Sequence, residues 1–196
     1  MKIKVLIGLL WAGSVFGQTC DITAFVIDKD PKGLNVRSAP NQEIISRIPY
    51  KNYKTDNPIK VHIIDTQEGW LQIDYWSDDV AKGDFDSPAW VYNQLLAVAV
   101  VGNEVLTIST NATADTPPKV ANIYENPDPQ AAVIGQLNME KLLINPMSCQ
   151  GKWILVEGNS IYGQPIKGWL SPDNQCIDSL KTCRQAQCVD FKDGCS

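Results

Sequence analysis

The sequence contains a single histidine, His62. A Ser-His or Cys-His nucleophilic site would have only this base to draw on, and no second imidazole is available to join it on a metal. His62 sits inside the strand-like "IKVHIIDT", where alternation places it opposite Val61 and Ile63 on a half-exposed face. No C-x-x-C pair occurs, so the usual spacings of zinc and thioredoxin-like sites are missing. Clusters of Lys and Arg are also lacking. The formal net charge of -5 becomes -7 once the leader removes Lys2 and Lys4. That balance disfavours nucleic acid and anionic polymers as partners, because binding them depends on clustered cations releasing counterions. No apolar run is long enough to span a bilayer, and no mature segment before Cys176 keeps helical spacing for three turns.

Residues 1–17, "MKIKVLIGLLWAGSVFG", carry Lys2 and Lys4, a short apolar run, and Val15 and Gly17 at the positions preceding a cleavage. They read as a secretory signal peptide. Gln18 and Thr19 do not suit a lipoprotein with Cys20 as its first residue. The six cysteines (Cys20, Cys149, Cys176, Cys183, Cys188, Cys195) all follow the leader. An even number in an exported chain predicts disulfides in a periplasmic or extracellular space, with the pairing left open by sequence.

An internal repeat organises the rest. "GLNVRSAP" at 33–40 aligns with "VANIYENP" at 120–127, "EGWLQID" at 68–74 with "GKWILVE" at 151–157, and "PAWVYN" at 88–93 with "KGWLSP" at 167–172. The repeat predicts unit one over 18–101, unit two over 102–176, and a cysteine-rich tail over 177–196. Short strands are expected at 22–27, 61–65, 70–75 and 105–109, punctuated by Gly, Pro, Asn and Asp. The junction "QLLAVAVVGNEVLTI" is apolar where a flexible linker would be polar, so the units are expected to dock.

"LNVRSAPN", Ile-x-x-Ile-Pro, "KVHIIDTQEGWLQID" and "AWVYNQLL" together resemble the bacterial SH3 family, and unit two carries the same frame more weakly. The resemblance covers about residues 20–175 and implies an all-β fold of two small SH3-like β-barrels in tandem with a disulfide-bonded tail. It also implies a module of exported bacterial proteins that binds peptidoglycan or other envelope components without a cofactor. In such a barrel the last strands of unit two are neighbours. A Cys149–Cys176 bridge is therefore expected, with Cys20 reaching a tail cysteine.

Candidate ligand-binding residues are the aromatics of "PYKNYKTDNP" (Tyr50 and Tyr53, beside Lys51 and Lys54), together with Tyr75, Trp76, Tyr92 and Arg37. Exposed rings offer flat contacts of low entropic cost. Asn35 recurs as Asn122 and is expected to bond its own loop backbone, leaving Arg37 to pair with an acid. The hairpin "DYWSDDVAKGDFDS" gathers Asp74, Asp78, Asp79, Asp84 and Asp86. Several oxygens there are weak calcium candidates, but the D-x-D-x-D-G loop is absent and a solvated hairpin explains them as well. "NAT" at 111–113 matches an N-glycosylation sequon.

The expected function is a non-catalytic binding or adaptor protein of the cell envelope, recognising a cell-wall glycopeptide or an envelope protein. The alternative is an inhibitor or accessory subunit whose acidic hairpin meets a basic protein. A hydrolase using Asp78 or Asp84 is the third and least supported reading.

Overall fold

The computed structural model describes residues 19–78, 80–104, 119–137, 143–178 and 182–183. The expected leader, Asp79, the expected strand at 105–109, the sequon, Cys188 and Cys195 lie outside these residues. The architecture is all-β and forms two sheets.

The first seven strands are β1 (Ile22–Val26), β2 (Leu34–Arg37), β3 (Ile44–Ile48), β4 (Lys60–Gln67), β5 (Trp70–Ser77), β6 (Lys82–Tyr92) and β7 (Leu96–Val100). They are followed by β8 (Asn103–Glu104), β9 (Lys119–Tyr124), β10 (Val133–Leu137), β11 (Leu143–Ile144), β12 (Ser148–Gln150), β13 (Trp153–Asn159), β14 (Pro165–Leu170) and β15 (Gln175–Cys176). A short 3-10 turn precedes β7 at Asn93–Leu95, and another precedes β15 at Pro172–Asn174.

Alternation makes these strands. In β4, Val61 and Ile63 are buried while Lys60 and His62 are partly exposed, as period-two geometry requires. The β4–β5 turn is Glu68-Gly69, with φ of 45° and 84° between the paired Gln67 and Trp70. Positive φ at both central positions is the turn geometry that follows strand twist, and glycine takes the second place without strain.

One sheet runs β11-β7-β1-β4-β5-β6-β2-β3, with β15 also pairing β7, and the other runs β10-β9-β14-β13-β12, with β8 pairing β9. Neither order returns to its start, so the expected small barrels are open sheets among the described residues. The reason lies in β7. Ala97 and Leu96 pair with β1, while Ala99 pairs with both Leu143 of β11 and Cys176 of β15. β7 is buried along its whole length, and this is what its unbroken "LAVAV" encodes. The Leu96–Val100 part of the apolar junction is thus a strand shared by both halves, consistent with docking rather than with a linker.

Pairing registers repeat where the sequence repeats. Leu34↔Ile48, Asn35↔Arg47, Val36↔Ser46 and Arg37↔Ile44 in β2–β3 match Ala121↔Leu137, Asn122↔Gln136, Ile123↔Gly135 and Tyr124↔Val133 in β9–β10. Each ladder skips one residue, Ile45 or Ile134, as a bulge. Arg37↔Trp90 likewise matches Tyr124↔Trp169. The recurring asparagines do not bond their own loops as expected. Gln136 Nε2 donates across the ladder to Asn122 Oδ1 at 3.1 Å, whereas the buried Asn35 Oδ1, with Arg47 opposite its residue, has no protein partner.

The disulfides correct the sequence expectation. Cys149 bonds Cys20, and Cys176 bonds Cys183. β12, carrying Cys149, ends one sheet, while β15, carrying Cys176, leaves to pair with β7 in the other. Cys149 and Cys176 are therefore not on neighbouring strands. Cys20 instead lies beside the β12–β13 turn through its bridge to Gly151.

Candidate functional site

Two of the sequence-marked regions meet at one groove. The loop from Pro49 to Ile59 is built on Asn52, which is almost fully buried. Its Oδ1 accepts from the backbone N–H of Lys54 at 2.7 Å and of Thr55 at 3.2 Å, and its own N–H donates to Asn57 O at 2.8 Å. Asn52 Nδ2 then donates to Asp78 Oδ2 at 2.9 Å, joining the loop to the β5–β6 turn. Asp78 Oδ1 in turn accepts from Val80 N and Ala81 N, each at 2.7 Å. These bonds, led by the Val80 N–H, hold the Asp78 carboxyl below its ordinary pKa.

Between the two tied segments lies a cavity of about 220 Å³ whose lining includes Tyr53, Lys54, Ile59, Trp76 and Val80. Tyr53 is 85% exposed and Val80 69%, whereas Trp76 packs partly against the core. Two well-exposed side chains and a part-buried indole therefore line one groove. Trp76 lies across Gly83, where a Cβ would come within 2.3 Å of the indole Nε1. Lys51 also lines the groove and is ion-paired with Asp56, which raises its pKa. Lys54 makes no ion pair with a described residue.

The other candidates lie elsewhere. Tyr50 packs partly against the core, with Lys51 Nζ 5.4 Å from its ring centre. Tyr75 points away from Trp76, as neighbours on a strand do, and stacks on His62 at 5.0 Å with Lys82 Nζ 4.3 Å from its ring centre. Tyr92 joins Trp70 at 5.5 Å. Arg37 lies 5.9 Å over Trp70 and donates to Gln42 O, so a backbone carbonyl and a ring replace the acid expected for it. Asp84 pairs with Lys82 at 2.9 Å, away from the Asp78 turn bonds, and raises the lysine pKa. No three His, Cys, Asp or Glu groups among the described residues converge where a metal ion could be held.

The sequence reading missed a second groove, at the corresponding hairpin tip of the C-terminal half. Val133, Ile134, Ile161, Tyr162 and Ile166 help line a cavity of about 460 Å³, with Tyr162 84% exposed. Ser160 Oγ accepts from Tyr162 N at 3.3 Å and Gln164 N at 3.2 Å, fixing the turn that presents the ring. The available signal was Tyr162 itself, an aromatic set among Ser, Gly, Gln and Pro in a loop where the repeats diverge.

His62 is also more engaged than its sequence context implies. Its Nδ1 lies 2.7 Å from Asp74 Oδ1 and its Nε2 3.1 Å from Asp21 Oδ1, so both ring nitrogens face carboxylates.

Compared with known proteins, the chain matches no family model, no curated protein and no solved structure. Two disulfides, and no helix among the described residues long and apolar enough to cross a membrane, are compatible with an exported protein.

Proposed function

We propose that the protein is an exported, non-catalytic binding module of two SH3-like units that takes a cell-wall glycopeptide in the groove between Tyr53 and Val80. The observation that carries this reading is the Asn52–Asp78 bond. It ties two loops far apart in sequence around one part-buried indole and leaves Tyr53 presented to solvent. Such preorganisation lowers the entropic cost of binding. The repeated strand registers support the tandem reading, and the hairpin-tip groove at Tyr162 presents a second exposed aromatic ring.

Purified sacculi are expected to retain the mature protein above an unrelated acidic control. Tyr53→Ala, which removes a ring outside the core, should weaken retention by about tenfold. Retention no greater than the control discards the glycopeptide ligand. Salt-sensitive capture of one dominant protein from an envelope extract would instead favour the inhibitor or accessory-subunit reading.

A further inference from the structure

The hairpin between β13 and β14 is fastened to the end of β10. Ile161 N donates to Gln136 O at 3.0 Å, and Leu137 forms a bridge with Ser160. Backbone bonds close the tip: Ser160 N donates to Gln164 O at 2.7 Å and Gly163 N to Ser160 O at 2.8 Å, with Gly163 at a φ of 76° that suits glycine. Tyr162 rides on this turn and is almost fully exposed. Beside it lies the hollow of about 460 Å³, within the range of about 300 to 1,000 Å³ typical of binding cavities. Ile166 lines the hollow by reaching across Gly135, where a Cβ would come within 2.4 Å of Ile166 Cδ1.

We infer that this hairpin face is a self-association surface, on which two copies of the chain dock about a two-fold axis, Tyr162 of each entering the hollow of the other. Shape is the first reason for a second copy as the occupant. A projecting ring and a hollow stand side by side on one patch, which is what an isologous interface requires, since each contact is made twice with the roles exchanged. Charge is the second. The chain has a formal net charge of -5, so two copies repel one another over most approaches. No charged side chain is among the described residues lining the hollow, whose polar members are Gln136, Ser160 and Gln164. Two acidic molecules can meet there without setting acid against acid.

The strand edge supplies the third reason. β10 ends its sheet, and Val133 and Ile134 are both about half exposed. In the first half, edge strand β3 shows Ile44 and Ile45 in the same way, but an exposed Arg47 stands where β10 has Gln136. A charge on an edge strand is a common guard against association, and "VIGQL" of β10 carries none. The face shares no lining residue with the Tyr53 groove, so its test stands apart from the glycopeptide reading.

Sedimentation equilibrium of the oxidised mature chain, without ligand and from ~1 µM to ~1 mM, tests the surface. The mean mass should rise with concentration toward twice the monomer value. Added salt should strengthen the association, because screening removes repulsion between like-charged copies and leaves the apolar contact. Ile134→Glu, which sets a carboxylate on both sides of the axis, should leave a monomer throughout. Ile45→Glu, at the matching bulge of the first half, should associate as the wild type does. Tyr162→Ser changes only an exposed loop ring, should weaken association by about tenfold, and covers the case in which Ile134→Glu fails to fold. A wild type that stays monomeric, association weakened by salt, a Tyr162→Ser variant that associates as the wild type does, or a folded Ile45→Glu variant that stays monomeric overturns the inference.

Discussion

Gly83 stands where the backbone of β6 passes under the Trp76 indole. A methyl group placed there would lie 2.3 Å from Nε1 and 2.6 Å from Cε2 of the ring, so the indole has to shift. Gly83→Ala is therefore expected to destabilise the protein by about 1 to 3 kcal/mol, the usual scale of local overpacking. It should also move tryptophan fluorescence to longer wavelength as the ring becomes more exposed. An unchanged spectrum and urea midpoint would show that the groove floor tolerates the methyl. Reading single residues from sequence succeeded where strand period alone decided the outcome and failed where a distant partner did. Val61 and Ile63 are buried and His62 partly exposed, as alternation requires. The same period separates Tyr75 from Trp76, so two adjacent aromatics could not share a groove. No local pattern could place Asp21 against His62, because the contact depends on β1 pairing with β4.

At the scale of elements, β7 joins the two halves of the chain. Ala99 is flanked by Leu143 on one neighbour and Cys176 on another, and its own side chain is buried. Ala99→Leu is expected to lower stability by about 1 to 3 kcal/mol through overpacking, read as a lower urea midpoint. Because strands from both halves pair with β7, probes in each half should lose structure together. Separate transitions for Trp76 and Trp153 would contradict that coupling. The frame of the repeat was legible because it is local, with the same apolar positions returning in each copy and the same bulge following them. The open sheets were not legible. They depend on β11 and β15 crossing to β7, and those two strands are too short to carry a periodic signal of their own. The groove was legible as two sets of loop residues, but their meeting rests on the single Asn52–Asp78 bond.

For the whole molecule, the Cys20–Cys149 bond spans 129 residues. A loop of that length stabilises by on the order of 5 kcal/mol in the chain-entropy limit. The Cys20→Ser, Cys149→Ser double variant is expected to show a lower melting temperature while keeping a β-type circular dichroism spectrum, since the β7 pairings do not depend on the bond. Loss of all folded signal would show that the tether, and not β7, holds the halves together. The expected Cys149–Cys176 pairing failed at this same scale, because it assumed that each half keeps its last strand to itself.

The length of that bond also fixes an order of events. A chain that leaves the ribosome or a translocation pore N-terminus first presents Cys20 long before Cys149 exists outside. Over the same interval β7 has β1 as a partner, while its contacts with β11 and β15 await synthesis. A thiol awaiting its partner and an apolar strand edge are thus exposed together from the emergence of β7 until that of Cys149. Oxidative folding of this molecule can finish only near the end of the chain, and the intermediate that precedes it is the one most in need of protection.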